Sequence, residues 1–201
     1  NLIENLGAKI VECEAQVDSR EETLLKVQKA TGATVIHPYN DYRIISGQGT
    51  VALELLEEVP DLDMVLVPVG GGGLISGIAV AVSEIAPIIN VVGVEPALAD
   101  DARQSFEERK LIPSNYPDTV ADGLRTSLGT KTFPIILKYV KKIITAPEEK
   151  ILPIMNVMTE NLKDNIEPSS AVPLAALMEK KHMFKEKKVG IIISGGNYAS
   201  L

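Results

Sequence analysis

Residues 65–77 read "VLVPVGGGGLISG". An uncharged, valine-rich run ends in four consecutive glycines and resumes as small and apolar residues. β-Branched residues in a continuous apolar run suit a strand buried on both faces. The following "LISGIAVAVSEIA" (74–86) suits a helix packed closely against it. A strand that ends in glycines before a helix gathers bare backbone N–H groups at a helix N-terminus, where partial positive charge favours an anion. A tight turn with close helix–sheet packing is the simpler account, but packing rarely asks for four adjacent residues without side chains. The expectation is a phosphate-binding loop. It is not a P-loop, since no Gly-Lys-Ser/Thr follows. A dinucleotide site stays open: Gly71-x-Gly73-x-x-Ser76 approaches that fingerprint, and Glu95 lies about 20 residues further on.

Working outward, the same alternation continues. "AKIVECE" (8–14), "ATVIHP" (33–38), "DMVLVPV" (63–69), "NVVGVEP" (90–96), "KIIT" (142–145) and "KVGIIIS" (188–194) read as strands. Between them, helices are expected from a capping box at Ser19 and Glu22 to about Ala30, then over 50–59, 74–86, 98–110 and 134–141. Two more begin at Pro147 and Pro168. "YNDYRIISGQG" reads as a polar loop, and 111–133 as a long loop-rich connection of the kind that is more often functional than idle. Strands alternating with helices specify an α/β fold, a twisted and mostly parallel sheet with helices on both faces.

The bulk numbers narrow the function classes. A net charge of −7 argues against coating a nucleic acid duplex. No apolar run reaches the roughly 18–20 residues that span a bilayer, and no secretory leader is recognisable. The single cysteine, Cys13, forms no internal disulfide and reads as a small buried residue, so a reducing, cytoplasmic setting is expected. His37, before Pro38, reads as structural, and His182 as a cation near a helix C-terminus. The first residues read as the end of a helix running into a strand, so the chain is expected to be part of a longer protein.

Six stretches in order, "HPYNDYRIISGQGT", "VPVGGGGLISG", "VEPALADDARQS", "TVADGLRTSLG", "IEPSSAV" and "IIISGGN", resemble serine racemase and the related serine/threonine dehydratases. These are pyridoxal-phosphate (PLP) enzymes of fold type II, with a tryptophan synthase β-like fold. The resemblance runs from about Gly7 to Asn197. It implies a smaller α/β domain ending within residues 1–39 and a large PLP-binding domain over 40–201. It assigns Gly70, Gly71, Gly72 and Gly73 to the cofactor phosphate and Ser194 to the pyridine nitrogen, where a neutral hydroxyl, unlike a carboxylate, does not hold that nitrogen protonated. Gly123 and Glu167 fall beside the cofactor, Asp122 and Thr126 on the substrate side. Lys163 and Asn197 match contacts to an activating nucleotide such as ATP. Glu95, the Ala99 carbonyl and Asp101 match a divalent cation site for Mg²⁺, Mn²⁺ or Ca²⁺, an oxygen set that suits hard cations; this displaces the dinucleotide reading of Glu95. Without the resemblance, Asp100 and Asp101 read simply as acids favouring a helix start.

The resemblance also implies what these residues lack. The family carries its Schiff-base lysine in an "S-x-K-x-R-G" motif and grips the substrate carboxylate with "S-S-G-N-H"; neither string occurs here, so no catalytic residue is assigned within this chain. The implied activity of the whole protein is interconversion of L- and D-serine, with elimination of serine to pyruvate and ammonia. The alternatives are a threonine dehydratase and a non-catalytic protein on the same scaffold. The implied partner is a small amino acid, and the implied assembly a homodimer.

Overall fold

The computed structural model describes residues 2–14, 17–115 and 117–197. The chain divides into two compact units, Asn1–Ile36 and His37–Leu201.

The first unit holds helix α1 (Leu2–Asn5) and helix α2 (Val17–Thr31). Ser19 lies inside α2, two residues past its start, so the expected capping box does not open this helix. The helix ends at Gly32, whose φ of +70° carries the chain out of the helical path while its N–H bonds the Gln28 carbonyl. Residues 8–14 and 33–38 were expected as strands and are not. Neither finds a partner among the described residues, and a strand exists through its ladder of hydrogen bonds rather than through β-branched composition alone. Cys13 accordingly is exposed, not buried.

The second unit opens with a turn in which the His37 imidazole Nδ1 accepts the N–H groups of Tyr39 (3.3 Å) and Asn40 (2.9 Å), which gives His37 the structural role expected of it. Helix α3 (Tyr42–Gln48) follows where a loop was expected. Asp41 caps it, accepting the Arg43 N–H at 2.8 Å. After α4 (Thr50–Glu58) the chain runs through β1 (Met64–Pro68), α5 (Gly73–Ile85), β2 (Asn90–Pro96), α6 (Asp101–Glu108), a 3₁₀ turn at Asp122–Leu124, α7 (Thr132–Tyr139), β3 (Lys142–Ala146), α8 (Glu148–Leu162), α9 (Pro168–Glu179) and β4 (Val189–Ile191).

These strands form one parallel sheet in the order β3-β2-β1-β4. Alternation along the strands feeds two cores. Val65, Val67 and Val91 pack with Leu56, Ile75, Ile78, Val82 and Ile136 on one face, while Leu66, Val92 and Val94 pack with Ile151, Met155, Val172 and Ala176 on the other. Helices α4, α5 and α7 therefore cover one face, and α8 and α9 the other, as a parallel sheet requires. Helix α3 lies against α5 at Gly77, where a Cβ would come within 2.2 Å of the Ile45 carbonyl oxygen. The strand order places a switch point between β1 and β4. From β1 the chain builds outward through β2 and β3, then returns to lay β4 on the other side. In open sheets of this kind ligands bind beyond the carboxyl ends of the strands, at the switch point.

Candidate functional site

The glycine loop leaves β1 at that point. Val69 still bonds the Val94 carbonyl, but no acceptor among the described residues takes the N–H of Gly70, Gly71, Gly72, Gly73 or Leu74. Gly72 holds φ at +86°, a left-handed conformation that costs a side chain roughly 1–2 kcal/mol. The loop is pegged from behind. The Thr132 hydroxyl, fully buried, donates to the Gly71 carbonyl at 2.8 Å, and the Gly129 N–H reaches the same oxygen at 3.2 Å. A trans peptide points its N–H opposite its C=O, so fixing the Gly71 carbonyl aims the Gly72 N–H away from Thr132. Tyr39 packs flat on the loop: a Cβ on Gly71 would fall 2.3 Å from its ring.

Around this loop the structure gathers most of the residues expected to share a site. A Cβ on Gly70 would meet the Gly123 carbonyl oxygen at 3.0 Å and Thr126 Oγ1 at 3.1 Å. Gly123 in turn abuts Ser169, and the Glu167 carboxylate lies between Gly123 and Gly195, 2.7 Å from where a Gly195 Cβ would stand. The Gly123 N–H is already taken by Asp122 Oδ1 at 2.9 Å, so this glycine offers closeness rather than a donor, and Asp122 is exposed and serves the 3₁₀ turn. Ser194, on the loop after β4, lies 3.2 Å from the Ser170 hydroxyl of α9. The Ser169 hydroxyl is buried with no hydrogen-bond partner among the described residues.

A second pocket opens one strand over, where β2 meets α6. Glu95, 1% exposed, is the next-to-last residue of β2 and accepts the N–H groups of Ala102 at 3.0 Å and Arg103 at 2.7 Å. Asp101 is also buried, and neither carboxylate oxygen has a hydrogen-bond partner among the described residues. No donor there takes the Ala99 carbonyl either. Burial first, and then the nearby Asp101 charge, push Glu95 up to about 9. Burial pushes Asp101 up to about 7, partly offset by its own backbone N–H and the nearby Ser114 hydroxyl. The adjoining cleft, about 200 Å³, is lined by Asp100, Asp101, Gln104, Ser114 and Asn115 among others.

Lys163 and Asn197, the expected nucleotide contacts, are exposed. Lys163 holds the left-handed position that ends α8, with φ at +54°, and its N–H bonds the Thr159 carbonyl. Nothing in the structure joins these two residues to each other.

Residues 1–195 match the profile of the pyridoxal-phosphate dependent enzymes. The chain belongs to this family. A β-hydroxyaspartate dehydratase of Paracoccus denitrificans is 45% identical over 195 residues, covering 97% of this chain and 62% of that protein. A serine racemase of Arabidopsis thaliana is 46% identical over 95% of this chain and 59% of that protein. Among solved structures, serine racemase from Dictyostelium discoideum superposes with a TM-score of 0.90 at 40% identity, covering 98% of this chain and 64% of its own. A threonine deaminase from T.th. gives 0.93 at 39%, covering 98% and 66%. The chain thus spans about three-fifths of the length of the curated relatives it matches, 62% and 59% of the two named.

The residues of this PLP-family chain fit the cofactor the family name carries. Free N–H groups at the positive end of a 13-residue helix suit a phosphate dianion. They also fit a hard divalent cation, through the two unpartnered oxygens of Asp101, the open Ala99 carbonyl and the remaining lone pairs of Glu95. Among the described residues no three His, Cys, Asp or Glu side chains cluster, so protein carbonyls and water would complete such a shell. Sequence reasoning passed over Thr132, Ser169, Ser170, Tyr39 and Glu148. Each acquires its role from a neighbour distant in sequence, Ser169 from Gly123 and Glu148 from Thr119.

Proposed function

We propose that the full-length protein is a PLP-dependent enzyme acting on 3-hydroxy amino acids, with serine racemisation and elimination to pyruvate and ammonia as its reactions. One observation carries this reading: the unpartnered amides of Gly70–Leu74 and the Ser194 hydroxyl leave the carboxyl edge on β1 and β4, the two strands that flank the switch point. Pyridoxal phosphate, when bound, draws electrons from the Cα of an attached amino acid and so acidifies its proton. The chain's own residues bind and orient. The glycine amides and the α5 N-terminus hold the phosphate, and Ser194 meets the ring nitrogen as a neutral partner. Gly123 and Glu167 wall the cavity, Asp122 and Thr126 edge the substrate side, and Glu95, Ala99 and Asp101 hold a divalent cation. Groups that move the Cα proton are assigned outside these residues.

The names of the relatives support the substrate class. Serine, threonine and β-hydroxyaspartate share a hydroxyl one carbon from the acidified Cα, and loss of that hydroxyl competes with return of the proton. A second reading, a dehydratase for threonine or β-hydroxyaspartate, is favoured by the dehydratase and deaminase among the similar proteins. The test is the full-length protein with PLP and Mg²⁺ supplied with L-serine, L-threonine and threo-3-hydroxyaspartate in turn. Chiral chromatography reads inversion, and oxo-acid release reads elimination. D-serine together with pyruvate supports the first reading. Oxo-acid from another substrate without D-serine selects the second, and no product from any of them overturns both.

A further inference from the structure

Asp100 stands at the N-cap of α6, where a carboxylate ordinarily accepts an N–H of its own helix, yet its side chain makes no capping bond. Glu95 supplies the cap from β2, through the Ala102 and Arg103 N–H groups at 3.0 and 2.7 Å. Asp100 turns instead to two side chains. Its Oδ1 accepts a hydrogen from Gln104 Nε2 at 2.6 Å, and its Oδ2 pairs with the Arg103 guanidinium. The other arm of that guanidinium donates to Glu107 Oε2 at 2.7 Å. Asp100 nevertheless lines the same cleft as Asp101.

Glu95, Asp100 and Asp101 are close in sequence, but among the described residues they do not converge into a three-ligand cluster. Asp101 keeps both oxygens open among those residues, whereas both oxygens of Asp100 are engaged. To join a cation beside Asp101, Asp100 must leave both partners and would leave the Arg103 charge unpaired next to that cation. The guanidinium is held from two sides, by Asp100 and by Glu107, so it does not swing aside freely. A hard cation takes its affinity from the number of charged oxygens it meets. Ca²⁺ accommodates more protein oxygens, while Mg²⁺ dehydrates reluctantly and keeps several waters.

We propose that Arg103 is a positioning residue that withholds Asp100 from the cation, so that the pocket offers two acidic ligands rather than three. This rests on the reading of Glu95, Ala99 and Asp101 as a divalent cation site, and adds what sets that site's strength. Without the Arg103 side chain, only a neutral hydrogen bond from Gln104 holds Asp100, and such a bond is weaker than attraction to a cation. Asp100 then replaces water on the ion, which tightens binding and does so more for Ca²⁺ than for Mg²⁺. The Arg103 backbone N–H, which serves Glu95, is unaffected by a change of side chain.

The experiment uses the full-length protein with PLP, freed of cations by a chelator, as wild type, Arg103→Ala, Asp100→Asn and the double variant. Calorimetric titration with Mg²⁺ and Ca²⁺ gives affinities, and the luminescence lifetime of bound Tb³⁺ in H₂O against D₂O counts the waters on the ion. Arg103→Ala is expected to tighten Ca²⁺ binding by roughly tenfold and Mg²⁺ binding by less, with fewer waters on Tb³⁺. In the Asp100→Asn background the same change should leave the water count alone and raise both affinities equally, as loss of a nearby positive charge would. Arg103→Lys should restore wild-type behaviour, since it keeps a cation beside Asp100. Equal tightening of both ions by Arg103→Ala, with or without Asp100 and with no change in water count, overturns the proposal and leaves the cation reading standing. A wild type that binds none of the three ions overturns the cation reading and the proposal with it. Should Arg103→Ala not fold, Arg103→Met keeps the aliphatic stem without the charge and is read against the same outcomes.

Discussion

The loop after β1 and the loop after β2 leave the same edge of one sheet, yet they are built from opposite materials. The first presents N–H groups with no side chains before them; the second buries two carboxylates around an open carbonyl. A donor-lined hollow costs little while water can enter, since backbone amides at a helix start are ordinarily solvated. The acidic pocket is different. Two buried carboxylates, one of them with no partner for either oxygen among the described residues, oppose folding unless protonated or neutralised by a cation. The glycine edge is thus at ease with or without an anion, whereas the acidic edge is held at a cost unless it is protonated or neutralised. The connection between α6 and α7 joins them: Ser114 and Asn115 line the acidic cleft, and Gly123, Leu124 and Thr126 abut Gly70.

The contrast breaks most sharply at Gly71. Gly71→Ala puts a methyl 2.3 Å from the Tyr39 ring, in a loop whose carbonyl is pinned by Thr132, so neither side yields cheaply. We expect full-length Gly71→Ala to lose PLP on gel filtration, followed by its absorbance, with destabilisation of about 1–3 kcal/mol from overpacking. Retention of PLP at wild-type stoichiometry would show that these amides do not grip the phosphate.

Next is the acidic edge, tested through pH. Glu95 at about 9 and Asp101 at about 7 stand above their ordinary values of 4.5 and 3.8. Across the interval between ordinary and folded values, the folded state holds protons that the unfolded chain has released. Stability of the cation-free protein therefore falls as pH rises through that window, and the penalty is complete above about 9. Cation binding displaces those protons, so Mg²⁺ or Mn²⁺ should raise the melting temperature more at pH 8 than at pH 5.5. Asp101→Asn should abolish the cation response while making the cation-free protein more stable at pH 8, by on the order of 1 kcal/mol. A cation-free melting temperature that climbs with pH over this range would contradict the account.

These two edges also differ in how far the residues announced them. β2 runs over 90–96 as the β-branched run indicates, and α5 starts within a residue of the last glycine, because burial on both faces and a glycine break are local signals. Helix α3 is not legible in the sequence. Its single turn of apolar residues, Ile44 and Ile45, between polar ones and glycines carries no periodicity, and what stabilises it is the seat on α5 at Gly77. The opposite holds at 8–14 and 33–38, where composition suggests strands and no ladder exists among the described residues. In the site, glycines and acids were visible as types in a motif. The groups that hold them were not. Thr132 is 61 residues from Gly71, Ser170 is 24 from Ser194, and Glu148 is 29 from Thr119, so their roles appear only when the sheet brings them together.

Thr132→Val separates support from contact at the glycine edge. It keeps the shape of a fully buried side chain and removes the donor to the Gly71 carbonyl and the acceptor for the Gly129 N–H. The Gly129 N–H still reaches Gly71, so the carbonyl is not orphaned. Denaturant melts should show a loss of about 1–2 kcal/mol. PLP should bind more weakly without being lost, since the amides remain but their aim is looser.

The smallest expected effect falls on the connection shared by both edges. Glu148 Oε1 accepts the Thr119 hydroxyl at 2.8 Å and the Val120 N–H at 2.7 Å, while its buried Oε2 has no partner among the described residues. The Arg125 guanidinium also closes on the Thr119 carbonyl, at 2.9 Å through Nε. Glu148→Gln keeps the accepting oxygen and removes the charge. It weakens two charge-assisted bonds and relieves one buried, unpartnered anionic oxygen, terms of opposite sign. The net change should stay under about 1 kcal/mol, with PLP and cation affinity nearly unaltered. Glu148→Ala removes the acceptor altogether and should loosen both affinities together, because one segment lines both pockets. If Ala weakened cation binding and left PLP untouched, the two edges would be independent, and the connection would be a tether rather than a shared wall.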